Sequence, residues 1–191
     1  EVVKRLAGDD RYETAIKISK DNFKSADTVV LASGTNSADA LAASSLATSK
    51  SAPILLTKRN EIGKNVFDEI KRLNANNVIV VGGKVSISEK VVSDLKNKNI
   101  TVKRLAGDNR YETSYEIAKE LLKSNKAKEA IIVNGFKNVD ALSVSSLATK
   151  ENLPILLNDG NRLSKDIKNI VGDSNIKKMY IIGGRTSLPR R

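Results

Sequence analysis

Two arginines at matching places in a repeated stretch carry the most chemistry in this sequence. Arg11 stands in "RLAGDDRYETA", from Arg5 to Ala15, and Arg110 in "RLAGDNRYETS", from Arg104 to Ser114. In each stretch Asp10 or Asn109 is a helix cap, and Glu13 or Glu112, three residues on, reaches back to complete a capping box. The arginine then falls in the first helical turn, where the helix dipole disfavours a cation by roughly 0.3–1 kcal/mol. Two placements account for it: a neighbouring carboxylate, Asp9 or Asp108, holds it, or it faces an external anion. Tyr12 and Tyr111 begin the apolar stripe of the same helix, followed at i+4 by Ile16 and Tyr115, and read as core.

Glycines mark two further candidate sites. "VVGGKVS" (Val80 to Ser86) and "IIGGRTS" (Ile181 to Ser187) end an apolar run with Gly-Gly and lead towards a helix. Exposed amides at such a turn can hold an anion, and Lys84 or Arg185 adds charge; the signal is weak, and a tight turn that demands glycine is the preferred explanation. Ser86 and Glu89 form a second capping box, and Pro189 takes the place of Ser88 in the second copy. "SGTNSADAL" and "NGFKNVDAL" bring Asp39 and Asp140 to a helix start. Acid–base work needs two carboxylates together, and each loop offers one, so a capping role is expected.

Composition narrows the chemistry. The 191 residues include no Cys and no His, which removes disulfides, thiolate nucleophiles, imidazole ligands and histidine-based triads. No metal or cofactor is expected. Aromatics are 4%, too few for a base-stacking platform. The net charge of +11 attracts polyanions, whether nucleic acid, anionic membrane or acidic polysaccharide, or serves solubility alone. No apolar run approaches the ~20 residues of a membrane span. The start, "EVVKRLAG", shows no signal peptide, as expected of a cytosolic chain or of a mature or excised piece.

The elements that hold these residues come twice. "DALAASSLAT" (Asp39 to Thr48) matches "DALSVSSLAT" (Asp140 to Thr149), "PILLT" (Pro53 to Thr57) matches "PILLN" (Pro154 to Asn158), and "VIVVGGKVSIS" matches "MYIIGGRTSLP". A period of roughly a hundred residues means duplication of a domain-sized module, not a solenoid. The modules are expected at 1–102 and 103–191. Val2 and Val3 look like the last strand of a preceding unit, and the second copy stops after its Gly-Gly turn, as in a piece of a longer array. Within a unit "TVVLAS", "PILLT", "VIVVGG" and "ITVKRL" read as buried strands. "YETAIKISKDNF", "DALAASSLATS", "NVFDEIKRL" and "SEKVVSDLKN" read as helices. Their alternation predicts a parallel α/β sheet covered on both faces. The small residues of "DALAASSLATS" predict very close packing against a neighbour.

Taken in order, "RLAGDDRYETA", "ADALAASSLA", "PILLT" and "VVGG" followed by "SIS" resemble the cell wall binding repeat 2 family of Gram-positive bacteria, best known in clostridial surface-layer and cell wall proteins. The resemblance covers nearly the whole chain, twice. It implies tandem Toprim-like modules and non-covalent anchoring to an anionic secondary cell wall polymer, outside the membrane, on a secreted wall or surface-layer protein. It implies no enzyme: Toprim catalysis uses an Asp-x-Asp to hold magnesium, and none stands at a strand end here. The family's "ILL" signature falls on Ile54, Leu55, Leu56 and on Ile155, Leu156, Leu157, where a buried strand explains it architecturally. The candidate polymer-binding residues are Arg5, Arg11, Lys58, Lys84, Arg104, Arg110 and Arg185. A third homologous module, usual in the family, or other surface-layer proteins are the implied partners, with neither nucleic acid nor membrane insertion. The rival reading is an enzyme acting on a phosphorylated small molecule at the Gly-Gly turns.

Overall fold

The structure is a computed structural model that describes residues 5–136, 141–160 and 162–183. The strand expected at Val2 and Val3, and the expectations at Asp140, Arg185 and Pro189, lie outside the described residues. The chain alternates helix and strand throughout: α1 (Arg11–Asn22), β1 (Thr28–Ser33), α2 (Ser37–Ser49), β2 (Ile54–Thr57), α3 (Lys64–Arg72), β3 (Asn77–Val81), α4 (Glu89–Lys96), β4 (Thr101–Leu105), α5 (Arg110–Ser124), β5 (Glu129–Asn134), α6 (Ala141–Glu151), β6 (Ile155–Asn158), α7 (Lys165–Asp173) and β7 (Lys178–Ile182). These are the strands and helices that the apolar runs and amphipathic stretches predict.

All strand pairs are parallel, in two sheets of order β2-β1-β3-β4 and β6-β5-β7. β4 runs through the boundary expected after residue 102, and all five of its residues pair with β3. β-branched residues fill the central strands, and Val29, Val30, Leu31 and Ala32 of β1 are fully buried. A strand buried on both faces reads as a continuous apolar run because neither face meets water.

One face of the first sheet packs Leu31, Leu55 and Val80 against Ile16 of α1, Val66 and Ile70 of α3 and Leu95 of α4. The other face packs Val30, Ala32 and Ile79 against Ala43 and Leu46 of α2 and, from the second module, Ile117 and Leu121 of α5. The second sheet repeats this sandwich. Ile132 and Leu156 meet Tyr115 of α5 and Ile170 of α7, while Ile155 and Leu157 meet Val144 of α6 and Leu41 of α2. α2 and α5 therefore each serve both sheets, and they weld the two modules together. The alanines and serines of α2 permit it: the helix is buried nearly all round, and Ser45 Oγ donates to the Leu153 carbonyl across the junction at 2.6 Å.

Candidate functional site

In a parallel sheet every strand ends on the same edge, so the loops after β1, β2, β3 and β4 gather there. The strand order reverses between β1 and β3: β1 leads to β2 on one side, and β3 and β4 lie on the other. The crevice beyond the carboxyl ends at such a switch point is where open α/β sheets tend to place ligands.

The repeated stretch supplies a self-contained loop at this edge. Asp10 Oδ1 accepts from the Glu13 amide at 2.8 Å, and Asn109 Oδ1 from the Glu112 amide at 2.9 Å. The Gly8 amide donates to Thr14 Oγ1 and the Gly107 amide to Thr113 Oγ1, so each loop folds back on its helix. A Cβ on Gly8 would lie 2.3 Å from Glu13 Cβ, and one on Gly107 2.2 Å from Glu112 Cβ, which is why glycine recurs there. The reciprocal half of the capping box differs from expectation. Glu13 accepts from Asn65 on α3 instead, and Glu112 accepts from the amide of Asp108, one residue before the cap.

Neither Asp9 nor Asp108 holds the arginines. The Arg11 guanidinium donates to the Gly34 carbonyl just past β1. Arg110 lies over the Phe136 ring, 5.8 Å from its centroid, beside the corresponding turn of the second module. Both arginines thus reach from the first turn of their helix to the loop after their own module's first strand. That loop's carbonyl or ring offsets the unfavourable dipole. Both remain exposed.

Asp39 corrects the sequence reading. The cap of α2 is Asn36, whose side chain accepts from the Ala38 amide at 3.2 Å. Asp39 lies one turn in, 2% exposed. Its Oδ2 accepts from Asn36 Nδ2 at 2.8 Å, while its Oδ1 is buried with no hydrogen-bond partner. Burial pushes its carboxyl up to about 6, and the Arg110 guanidinium of the second module pulls the other way. Gly82, at φ +116°, makes room for it: a Cβ there would stand 2.8 Å from Asp39 Oδ2. The Gly-Gly turn of the first copy is therefore a tight turn facing a carboxylate. Its Gly82 carbonyl accepts from Arg104 at 2.8 Å.

Ser86 does not begin α4. The turn between Gly83 and Ile87 uses Ser86, because Ile87 is fully buried and both amides bond the Gly83 carbonyl. The helix starts after Ser88, which makes no side-chain cap. Glu89 pairs with Arg104 at 3.1 Å and with Lys84 at 3.8 Å.

The structure thus brings Arg11, Lys58, Lys84 and Arg104 to one edge of the first sheet, and Arg110 joins them from α5. Lys58 and Lys84 are exposed and Arg104 is half-buried under its two bonds. Arg5 is exposed ahead of α1, and Arg185 lies outside the described residues. The "ILL" residues sit in the cores instead: Leu55, Ile155, Leu156 and Leu157 are buried, and Ile54 and Leu56 are half-buried. The spacing of Asn36 and Asp39 was a legible signal for a linked pair, but the burial of Asp39 was not, since the Gly82 turn that faces it is distant in sequence.

Two clefts beside α1 and α3 measure about 390 and 230 Å³, and one between α5 and α7 about 420 Å³. Their charges are mixed: Lys20 and Arg72 face Glu13, Asp68 and Glu69, and Lys119 and Lys123 face Asp166 and Asp173. Neither Gly82, Gly83 nor Gly34 lines any of them. Among the described residues no group of three or more Asp and Glu is placed to hold a metal ion, and no helix is long and apolar enough to cross a membrane.

Comparison with known proteins agrees with this architecture. The solved structure of Cwp6 from Clostridium difficile superposes with a TM-score of 0.90 at 38% identity, covering 96% of this chain and 29% of that one. Cwp8 from the same organism gives a TM-score of 0.85 at 32% identity, covering 95% and 31%. The N-acetylmuramoyl-L-alanine amidase LytC of Bacillus subtilis is 35% identical over 186 residues, which are 97% of this chain and 37% of that protein. The chain thus spans about a third of the length of these relatives. Residues 5–92 and 104–191 each match the family Cell wall binding domain 2 (CWB2), and the chain belongs to that family, with two copies of its cell wall-binding module in tandem.

Proposed function

We propose that the chain anchors a secreted surface protein to the wall of a Gram-positive cell by binding an anionic secondary cell wall polysaccharide, without covalent chemistry. The observation that carries this reading is the carboxyl edge of the first sheet, where Arg11, Lys58, Lys84, Arg104 and Arg110 converge from both modules. Arg5 and Arg185 belong to the same candidate set. A polymer that repeats its anionic group suits a protein that repeats its cations, because the second contact forms at high effective concentration. The family supports wall binding in general, and the net charge of +11 supports an anionic target.

The modules, taken as 1–102 and 103–191, also carry a case for a third. Ile18 of α1 is 45% exposed, whereas its counterpart Ile117 of α5 is 1% exposed on the first module's sheet. Leu147 of α6 is 38% exposed, whereas its counterpart Leu46 of α2 is fully buried against α5. One further module, offering a helix like α2 to Ile18 and a helix like α5 to Leu147, would cover both faces.

An enzyme acting on a phosphorylated small molecule at the Gly-Gly turn fits less well. The Asp39 carboxylate already faces Gly82, and a phosphate there would meet a like charge. Retention on purified walls before and after the anionic polymer is stripped, at rising salt, tests the reading. Retention that needs the polymer and weakens with salt is expected. Equal retention on stripped walls would sink it.

A further inference from the structure

The opposite, amino-terminal edge of the first sheet holds a fourth cleft, of about 480 Å³, between the ends of α3 and α4. We infer that this cleft is a second saccharide subsite, taking a sugar unit that bears a phosphate or carboxylate; this rests on the polymer-anchoring reading above. Such a volume falls within the range of ordinary small-ligand clefts.

Its lining differs from that of the other clefts. Phe67 and Ile70 form an apolar floor, and Asn74, Asn76, Asn99, Lys71 and Lys98 rise around it. Among the described residues none of these five polar side chains makes a hydrogen bond or ion pair. The one carboxylate of the cleft, Asp68, is already paired with Lys64 at 2.7 Å. The cleft therefore carries two lysines against one carboxylate, where the three clefts beside α1, α3, α5 and α7 carry at least as many carboxylates as cations.

The lining suits a sugar acid in kind as well as in charge. Each asparagine amide offers both a donor pair and an acceptor, which matches the alternating character of sugar hydroxyls. The half-buried Phe67 ring gives a flat apolar surface for a pyranose face. Backbone demands explain only part of the composition. Asn74 and Asn99 have φ of +57° and +61° in the turns that end α3 and α4, where asparagine is favoured. Asn76, Lys71 and Lys98 have no such conformational duty. The main chain of Asn76 is already engaged with Asp27 and Thr101, which leaves its amide side chain fixed at the root and free at the tip. With basic groups at the carboxyl edge and this cleft at the amino edge, one module could hold two polymer strands, or two turns of one strand.

The test is a titration of isotope-labelled protein, followed by the side-chain amide signals of Asn74, Asn76 and Asn99. The probes are a phosphorylated mannose oligosaccharide, the same oligosaccharide after phosphatase treatment, and inorganic polyphosphate. Saturating shifts with the phosphorylated sugar are expected, and binding about tenfold weaker after dephosphorylation, in keeping with a lost charge-assisted contact. The double change Lys71→Gln and Lys98→Gln should lower affinity for the phosphorylated sugar by a similar factor and leave the dephosphorylated one unaffected. Asn76→Ala, checked for an unchanged melting temperature, should weaken both sugars. Equal shifts with polyphosphate would reduce the cleft to a charge patch and overturn the saccharide assignment. Absence of shifts at these asparagines with any probe would overturn the cleft altogether. Wall retention by the same protein decides the anchoring reading separately: retained protein with silent asparagines leaves anchoring standing and removes only this subsite.

Discussion

Asp39 of the first module is buried with one carboxylate oxygen unpaired, and the opposing charge that acts on it, Arg110, belongs to the second module. The junction between modules is thus electrostatic as well as apolar. The four residues Asn36, Asp39, Gly82 and Arg110 form one local arrangement drawn from the segments that follow β1, β3 and β4 of the first sheet.

This arrangement predicts a pH dependence. The Asp39 carboxyl moves from its ordinary 3.8 to about 6 in the folded chain. Between those values the folded state holds a proton that the unfolded state has released, so stability falls as pH rises through about 4 to 6, and the cost is complete above that window. A shift of this size corresponds to about 2–3 kcal/mol at most. Asp39→Asn should therefore raise the melting temperature at pH 7.5 and leave it unchanged near pH 4. A pH series of melting curves on both proteins checks this, and parallel curves would refute it.

Arg110 and Arg11 should separate in the same assay. Arg110→Gln leaves Asp39 without its opposing cation and should destabilise by about 1–3 kcal/mol at pH 7.5. Arg11→Gln loses a bond to the Gly34 carbonyl and should cost about 1 kcal/mol or less. Equal losses would show that Arg110 does not act through Asp39.

Lys58 and Lys84 offer the cleanest test of the carboxyl edge. Both are exposed, and among the described residues Lys84 pairs only with Glu89, through a long surface contact that contributes little. The double change to Gln should leave the melting temperature in place, weaken retention on polymer-bearing walls and flatten its salt dependence. Unaltered retention would remove these two lysines from the polymer site.

Leu55→Ala and Leu156→Ala should each cost about 2–5 kcal/mol, because both side chains are fully buried in their sheets. Loss of anchoring in these variants would follow loss of folding, seen as a lowered melting temperature. A binding defect at unchanged melting temperature would instead make the "ILL" strand a contact surface.

Matching positions should respond unequally to charge. Ile117→Asp places a carboxylate against the first sheet and should cost several kcal/mol, on the order of 3 or more. Ile18→Asp, at the exposed counterpart, should stay within about 1 kcal/mol in this chain. In a protein that carries a third module over Ile18, the second change should become as costly as the first. Denaturant melts of the two variants in both contexts check this.

Local chemistry settled much of this protein in advance. Every described strand and helix follows from the apolar runs, caps and breakers, because a buried parallel strand and an amphipathic helix leave different periodicities. Asp10 and Asn109 could be named as caps because capping acts over three residues. The small residues of α2 announced a close neighbour. What stayed hidden was long-range. Asp39 looked like a cap because helix-start carboxylates commonly are; the groups that face it, Gly82 and Arg110, come from much later in the chain. Asp9 and Asp108 are the charges nearest Arg11 and Arg110 in sequence, but in the fold Arg11 bonds the turn after β1 and Arg110 lies over Phe136 in the turn after β5. Ser86 and Glu89 matched the spacing of a capping box, yet the fully buried Ile87 pulls Ser86 into the preceding turn. The collection of five cations on one edge, and of three asparagines and two lysines on the other, depends on strand order, which brings together loops that the chain keeps far apart.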